Sequence, residues 1–128
     1  MVRTADDWHL TIFRVTGRKG SKPNNTSKKK YPVLCQHGAF DSAIGWSGRG
    51  VSFKPSLPLS LVDRGYDVWL GNNRGTRYSN LNEKDGQWTL EDRWDFSWAE
   101  MGAYDNPAIV NKILRVTGQE KVTLIGYS

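Results

Sequence analysis

The chain has 128 residues, 38% hydrophobic and 12% aromatic, enough for one small domain with its own core and too apolar for a disordered chain. Its formal net charge is +5. Six basic residues, Arg18, Lys19, Lys22, Lys28, Lys29 and Lys30, account for this excess with no acid among them; such a run without interleaved aromatics reads as a solvated loop, and no motif supports nucleic-acid binding.

The start, Met1 to Asp7, is polar where a signal peptide would be apolar. Trp8 to Val15 alternates as a single strand, with the turn signal Asp6-Asp7 making Met1 to Thr4 its hairpin partner. Gly17 to Lys30 is a polar loop whose overlapping sequons, Asn24 and Asn25, matter only in the secretory pathway, so the compartment stays open. Tyr31 to Gln36 is a short buried strand. It holds the single cysteine, Cys35, which excludes an internal disulfide and reads as a small hydrophobe.

Ser56 to Gly65 predicts a helix, with Ser56 as cap, Pro58 in the first turn and Gly65 as the stop. Tyr66 to Leu70 is the next strand, followed by the loop Gly71-Asn72-Asn73-Arg74-Gly75. A second helix is predicted from a cap at Asp105 to Gly118, with Ile109, Val110, Ile113 and Leu114 on one face. Val122 to Ile125 is the last strand. Strand, helix, strand, helix, strand predicts an α/β fold with a mostly parallel sheet, crossover helices and an N-terminal hairpin. The six tryptophans are read chiefly as core. No stretch approaches the ~18 apolar residues of a membrane span.

The last strand runs into Gly126-Tyr127-Ser128. Gly-x-Ser after a buried strand is the first half of a nucleophile elbow, G-x-S-x-G, in which Ser128 is the nucleophile and Gly126 keeps the tight turn uncrowded. His37-Gly38 ends an earlier strand, where the following loop supplies one amide of an oxyanion hole; the donor is the backbone N–H of Ala39. His37 itself reads as structural, because the triad order here is serine, then acid, then histidine. Arg74 reads as a structural pin of its loop through charge-assisted hydrogen bonds. Asp105 is sufficiently employed as a helix cap, and Asp41 follows the wrong strand for a triad acid. Trp94, Phe96 and Trp98 are assigned to packing of the following helix rather than to lipid. No Cys, His and Asp spacing resembles a metal site.

Several blocks together resemble the acid lipase group of α/β-hydrolases, which includes gastric and lysosomal acid lipases and steryl ester hydrolases. They are Gln36-His37-Gly38 with Asp41-Ser42 and Trp46; Ser56-Leu57; Gly65 to Gly75 with Tyr78-Ser79; Trp94 to Trp98 with Glu100-Met101, Tyr104-Asp105 and Pro107-Ala108; and Thr117 to Lys121 leading to Gly126-Tyr127-Ser128. The resemblance covers nearly the whole chain. It implies the N-terminal part, residues 1–128, of an α/β-hydrolase fold lipase domain. It implies a serine hydrolase of triacylglycerol or steryl esters with no cofactor or metal, lipid esters as partners, and association with lipid interfaces by the full-length protein. The triad Asp and His are expected downstream of Ser128, so the chain alone is expected to be an inactive part with an unpaired central strand. A non-enzymatic product that binds lipid or a partner, or another esterase of the same fold, is the alternative. Ala39 departs from the family's usual leucine, Asp6-Asp7-Trp8-His9 from its usual hairpin turn, and Arg93 from its usual aromatic.

Overall fold

The computed structural model describes residues 1–17, 20, 30–47, 56–79, 81–82, 91 and 94–128. Most of the basic loop, both sequons and Arg93 lie outside the described residues.

The centre of the fold is β4, Pro32–Gln36, buried at every position. It pairs in parallel with β5, Asp67–Leu70, on one side and with β7, Thr123–Gly126, on the other. A strand covered on both faces has no polar alternation, which is why this run is continuously apolar up to Gln36. Pro32 cannot donate to a ladder and sits at the strand's first position, where this matters least. Successive side chains point to opposite faces. Leu34 and Trp69 join Ile109 and Ile113 of α3, Asn106–Thr117, in one cluster. Val33, Cys35 and Val68 join Val62 of α1, Leu57–Asp63, in the other. Helices therefore cover both faces, and the four-stranded order is β3-β5-β4-β7, with β3 (Phe13–Val15) antiparallel at one end.

The predicted single strand from Trp8 to Val15 is two strands in two sheets. β2, Trp8–Leu10, pairs antiparallel with β1, Val2–Arg3, as the hairpin reading expects, and with β6, Leu81–Asn82. The chain breaks at Thr11, whose amide donates to Ser79 Oγ at 2.9 Å and whose carbonyl accepts from Asn72 Nδ2 at 2.8 Å. Side chains from a distant loop take the place of a ladder there and turn β3 into the second sheet.

The second helix also starts earlier than predicted. Ser97 and Glu100 form a capping box, with Ala99 N–H donating to Ser97 Oγ and Ser97 N–H to Glu100 Oε2. The helix begins with α2, Trp98–Glu100, widens into a π-helical turn over Met101–Asp105 and continues as α3. Asp105 is thus inside the helix, at φ −67°, and caps nothing with its side chain. Ser56 takes the extended cap conformation of α1 but makes no side-chain cap bond. Gly65, at φ +92°, and Gly118, at φ +65°, stop their helices in the left-handed region that glycine adopts without strain.

Candidate active site

The strand order places the site. From β4 the chain moves to β5 on one side, then crosses back through α3 to β7 on the other. The carboxyl ends of β4 and β7 therefore lie side by side where the strand order reverses, the position where open α/β sheets hold ligands. The register pairs Gln36 with Gly126. Two residues further along each strand stand Gly38 and Ser128.

These two are in direct apposition. A Cβ on Gly38 would lie 2.7 Å from both Ser128 Cβ and the Tyr127 carbonyl oxygen, closer than real side chains approach. Glycine is required at 38 for this contact. Ser128 has φ +59°, a left-handed conformation that costs a non-glycine residue free energy. Among the described residues a Cβ on Gly126 would meet Leu124 and Gln36 at ordinary distances of 3.7 and 3.8 Å. Of the two glycines flanking this turn, Gly38 is the one crowded by described residues.

His37 is buried and fully engaged. Asn73 N–H donates to its Nε2 at 3.1 Å, which leaves Nδ1 as the donor to the Gly38 carbonyl oxygen at 2.8 Å. The ring fixes the Gly38 peptide to the loop after β5, and both its nitrogens are taken by backbone groups rather than by Ser128. Ala39 follows Gly38 and is exposed beside a cleft of about 710 Å³. Phe40, at φ +62°, projects fully into solvent at the same rim.

Opposite stands an aromatic wall. Phe96 packs edge-on against Trp8, with ring centroids 5.4 Å apart, and contacts Trp94. Trp94 and Trp98 are 60% and 86% exposed and line the cleft with Met101. Of this trio, expected to pack the following helix, Phe96 packs against the core cluster that includes Ile109 and Ile113 of α3, whereas the two tryptophans are exposed. Trp8 and Trp69 are core, as predicted for the tryptophans generally.

Arg74 is buried and bridges three elements. Its backbone N–H and Nε donate to Asp105 at 2.8 and 2.9 Å, and its terminal nitrogens donate to Asp6 at 2.6 and 2.9 Å. Its guanidinium also lies over the Trp8 ring at 5.0 Å. Burial alone raises the Asp6 carboxyl, but hydrogen bonds from Arg74 and Thr4 outweigh it and hold Asp6 below the ordinary range. For Asp105 burial wins over the same kind of bonds, and its carboxyl is pushed up.

Cys35, on β4, is a buried thiol of low reactivity: burial pushes it up to about 11. Among the described residues no three His, Cys, Asp or Glu side chains gather as metal ligands. One contact escaped the sequence reading. Asp41 accepts a hydrogen bond from the Tyr127 hydroxyl, and the Tyr127 ring meets Trp46 edge-on at 5.1 Å. The only prior signal was that Asp41 and Trp46 fall in matching blocks; nothing in their spacing pointed to Tyr127.

Residues 31–128 match the family described as alpha/beta hydrolase fold. The chain belongs to that family. Its first 50 residues match the partial alpha/beta-hydrolase lipase region, in keeping with the lipase resemblance of its motifs. Among similar proteins, a probable lipase of Schizosaccharomyces pombe is 39% identical over 132 residues, covering 100% of this chain and 27% of that protein. Gastric triacylglycerol lipase of Rattus norvegicus is 40% identical over 129 residues, covering 99% and 31%. Lipase member M of Homo sapiens is 39% identical over 129 residues, covering 99% and 29%. The chain thus spans under a third of the length of these α/β-hydrolase relatives. None of its described helices is long and apolar enough to cross a membrane.

Proposed function

We propose that this chain supplies the nucleophile and one oxyanion donor of a serine carboxylic ester hydrolase acting on neutral lipid esters, triacylglycerol or steryl ester. The observation that carries the reading is the apposition of Gly38 and Ser128, with Ser128 at φ +59°. It puts a strained serine beside the peptide that precedes the Ala39 amide, the arrangement acyl transfer needs.

In this mechanism Ser128 Oγ attacks the ester carbonyl while a histidine takes its proton. The Ala39 amide and the amide following Ser128 hold the oxyanion. The alcohol leaves with a proton from the histidine, and water then hydrolyses the acyl-enzyme. The histidine comes from outside these 128 residues. The chain has two: His37 has both ring nitrogens occupied, and His9 lies on β2 in the other sheet. Residues 1–128 alone are therefore inactive in this reading, and the complete protein carries the base and its orienting acid. Support for a lipid substrate comes from the exposed aromatic wall of the cleft and from the lipase names of the relatives.

The test is hydrolysis of p-nitrophenyl butyrate and palmitate, triolein and cholesteryl oleate by the complete protein. Turnover is expected to favour the long-chain esters, and Ser128→Ala to lose about 10⁴-fold or more, as for nucleophile removal elsewhere. Full activity in Ser128→Ala, or no turnover of any ester, defeats the proposal.

A further inference from the structure

The two loops that carry Ser128 and Ala39 are joined by a side-chain contact for which ester hydrolysis, as described, has no use. Tyr127 precedes the nucleophile and donates its hydroxyl to Asp41 Oδ2, and its ring rests edge-on against Trp46. Asp41 and Trp46 both belong to the segment that follows Ala39. Asp41 is itself held in place, accepting from Ser42 N–H at 2.7 Å. Gly45 leaves room for the pair: a Cβ there would come within 2.8 Å of the Tyr127 hydroxyl and of Asp41 Cγ. The ordinary reading, a solvated aspartate in a turn, leaves unexplained why a carboxylate, an aromatic ring and a missing side chain all converge on one phenol.

We propose that the Tyr127–Asp41 hydrogen bond, seated on Gly45 and Trp46, is a positioning tether that fixes the Ser128 nucleophile relative to the Ala39 amide. The proposal rests on the ester hydrolase reading above. The need for such a tether is geometric. An oxyanion donor must stand at hydrogen-bond distance from an atom that Ser128 is attacking, and the two belong to different loops. Phe40, next to Ala39, is fully exposed and gives that loop no packing of its own. In this reading Tyr127 and Asp41 act through the loops they join and not on the reacting atoms, so they are positioning residues. Their ionisation fits the roles of donor and acceptor. Burial and the Asp41 carboxylate together push the Tyr127 phenol up, and the Tyr127 hydroxyl with the Ser42 amide holds Asp41 down.

Tyr127→Phe in the complete protein deletes the hydroxyl and keeps the ring on Trp46. Its kcat on a soluble ester is expected to fall about tenfold, the scale of a sub-ångström misplacement, with KM and melting temperature unchanged. Gly45→Ala and Asp41→Ala are expected to match it, and the double variant Tyr127→Phe/Asp41→Ala to lose no more than Asp41→Ala alone, since each breaks the same Tyr127–Asp41 bond. Asp41→Asn, whose amide oxygen still accepts, retains most of the rate. An unchanged kcat in Tyr127→Phe, or losses that multiply in the double variant, overturns the tether. A purely structural contact would instead move the melting temperature. A second measurement does not depend on turnover: ultraviolet difference titration of the parent against Tyr127→Phe reads this one phenol. It is expected to ionise above the ordinary tyrosine range and to fall back toward it in Asp41→Asn. An ordinary titration in the parent overturns the tether even if the protein hydrolyses no ester, whereas absent hydrolysis by itself defeats only the function proposed above.

Discussion

At Gly38 a single hydrogen decides whether two loops can meet. Alanine there would drive its methyl against Ser128 Cβ and the Tyr127 carbonyl. Overpacking of this kind costs about 1–3 kcal/mol. Gly38→Ala in the complete protein is therefore expected to lose that much in urea unfolding and to lose at least 100-fold in kcat through misplacement of the Ala39 amide. Retained activity would mean that the oxyanion donor lies elsewhere. The requirement for glycine at 38 was legible as a turn signal after a strand. Its cause was not, because the crowding comes from residues 90 positions away. The converse holds at Gly126, where the local motif predicts crowding and the described neighbours stand at van der Waals distance.

Among elements, the loop after β5 is held by one buried cation between two carboxylates. Asp105→Ala leaves Arg74 short of two bonds in a dry setting and is expected to cost about 3–5 kcal/mol in urea unfolding. A loss under 1 kcal/mol would show that Asp6 alone satisfies Arg74. The two carboxylates respond oppositely to acid. Asp6 has a folded value below its unfolded one of about 3.9. Its contribution is thus complete above the unfolded value and disappears as pH falls through the folded one. Asp105 has a raised folded value, so between its two values stability falls as pH rises. Asp6→Asn is accordingly expected to flatten the acid limb of a melting-temperature profile below about pH 4. An unchanged limb would remove Asp6 from acid unfolding. The sequence showed Arg74 as a pin but not its partners, and it misassigned Asp105 as a cap. The capping box at Ser97 and Glu100, read directly, would have moved the helix start to Trp98.

Across the whole molecule, Asn72 ties the loop after β4 to the junction of the two sheets. It is fully buried, donates to the Thr11 carbonyl and accepts from Ala43 N–H at 2.9 Å. Asn72→Ala orphans both partners, at about 1–3 kcal/mol each, and is expected to lower stability and kcat together. A stable variant with impaired kcat would show that the joint serves the site alone. Sequence by itself determined the hairpin, the central strands and both main helices. Periodicity, glycine stops and local motifs are properties of neighbouring residues, and they survive without a fold. Only tertiary structure decided that Trp8 to Val15 divides between two sheets, that Asp105 faces Arg74, that Trp94 and Trp98 open onto the cleft, and that Asp41 answers to Tyr127. Each of those depends on a partner far along the chain, brought close by the return of α3 and β7 across β4, and no local pattern carries that information.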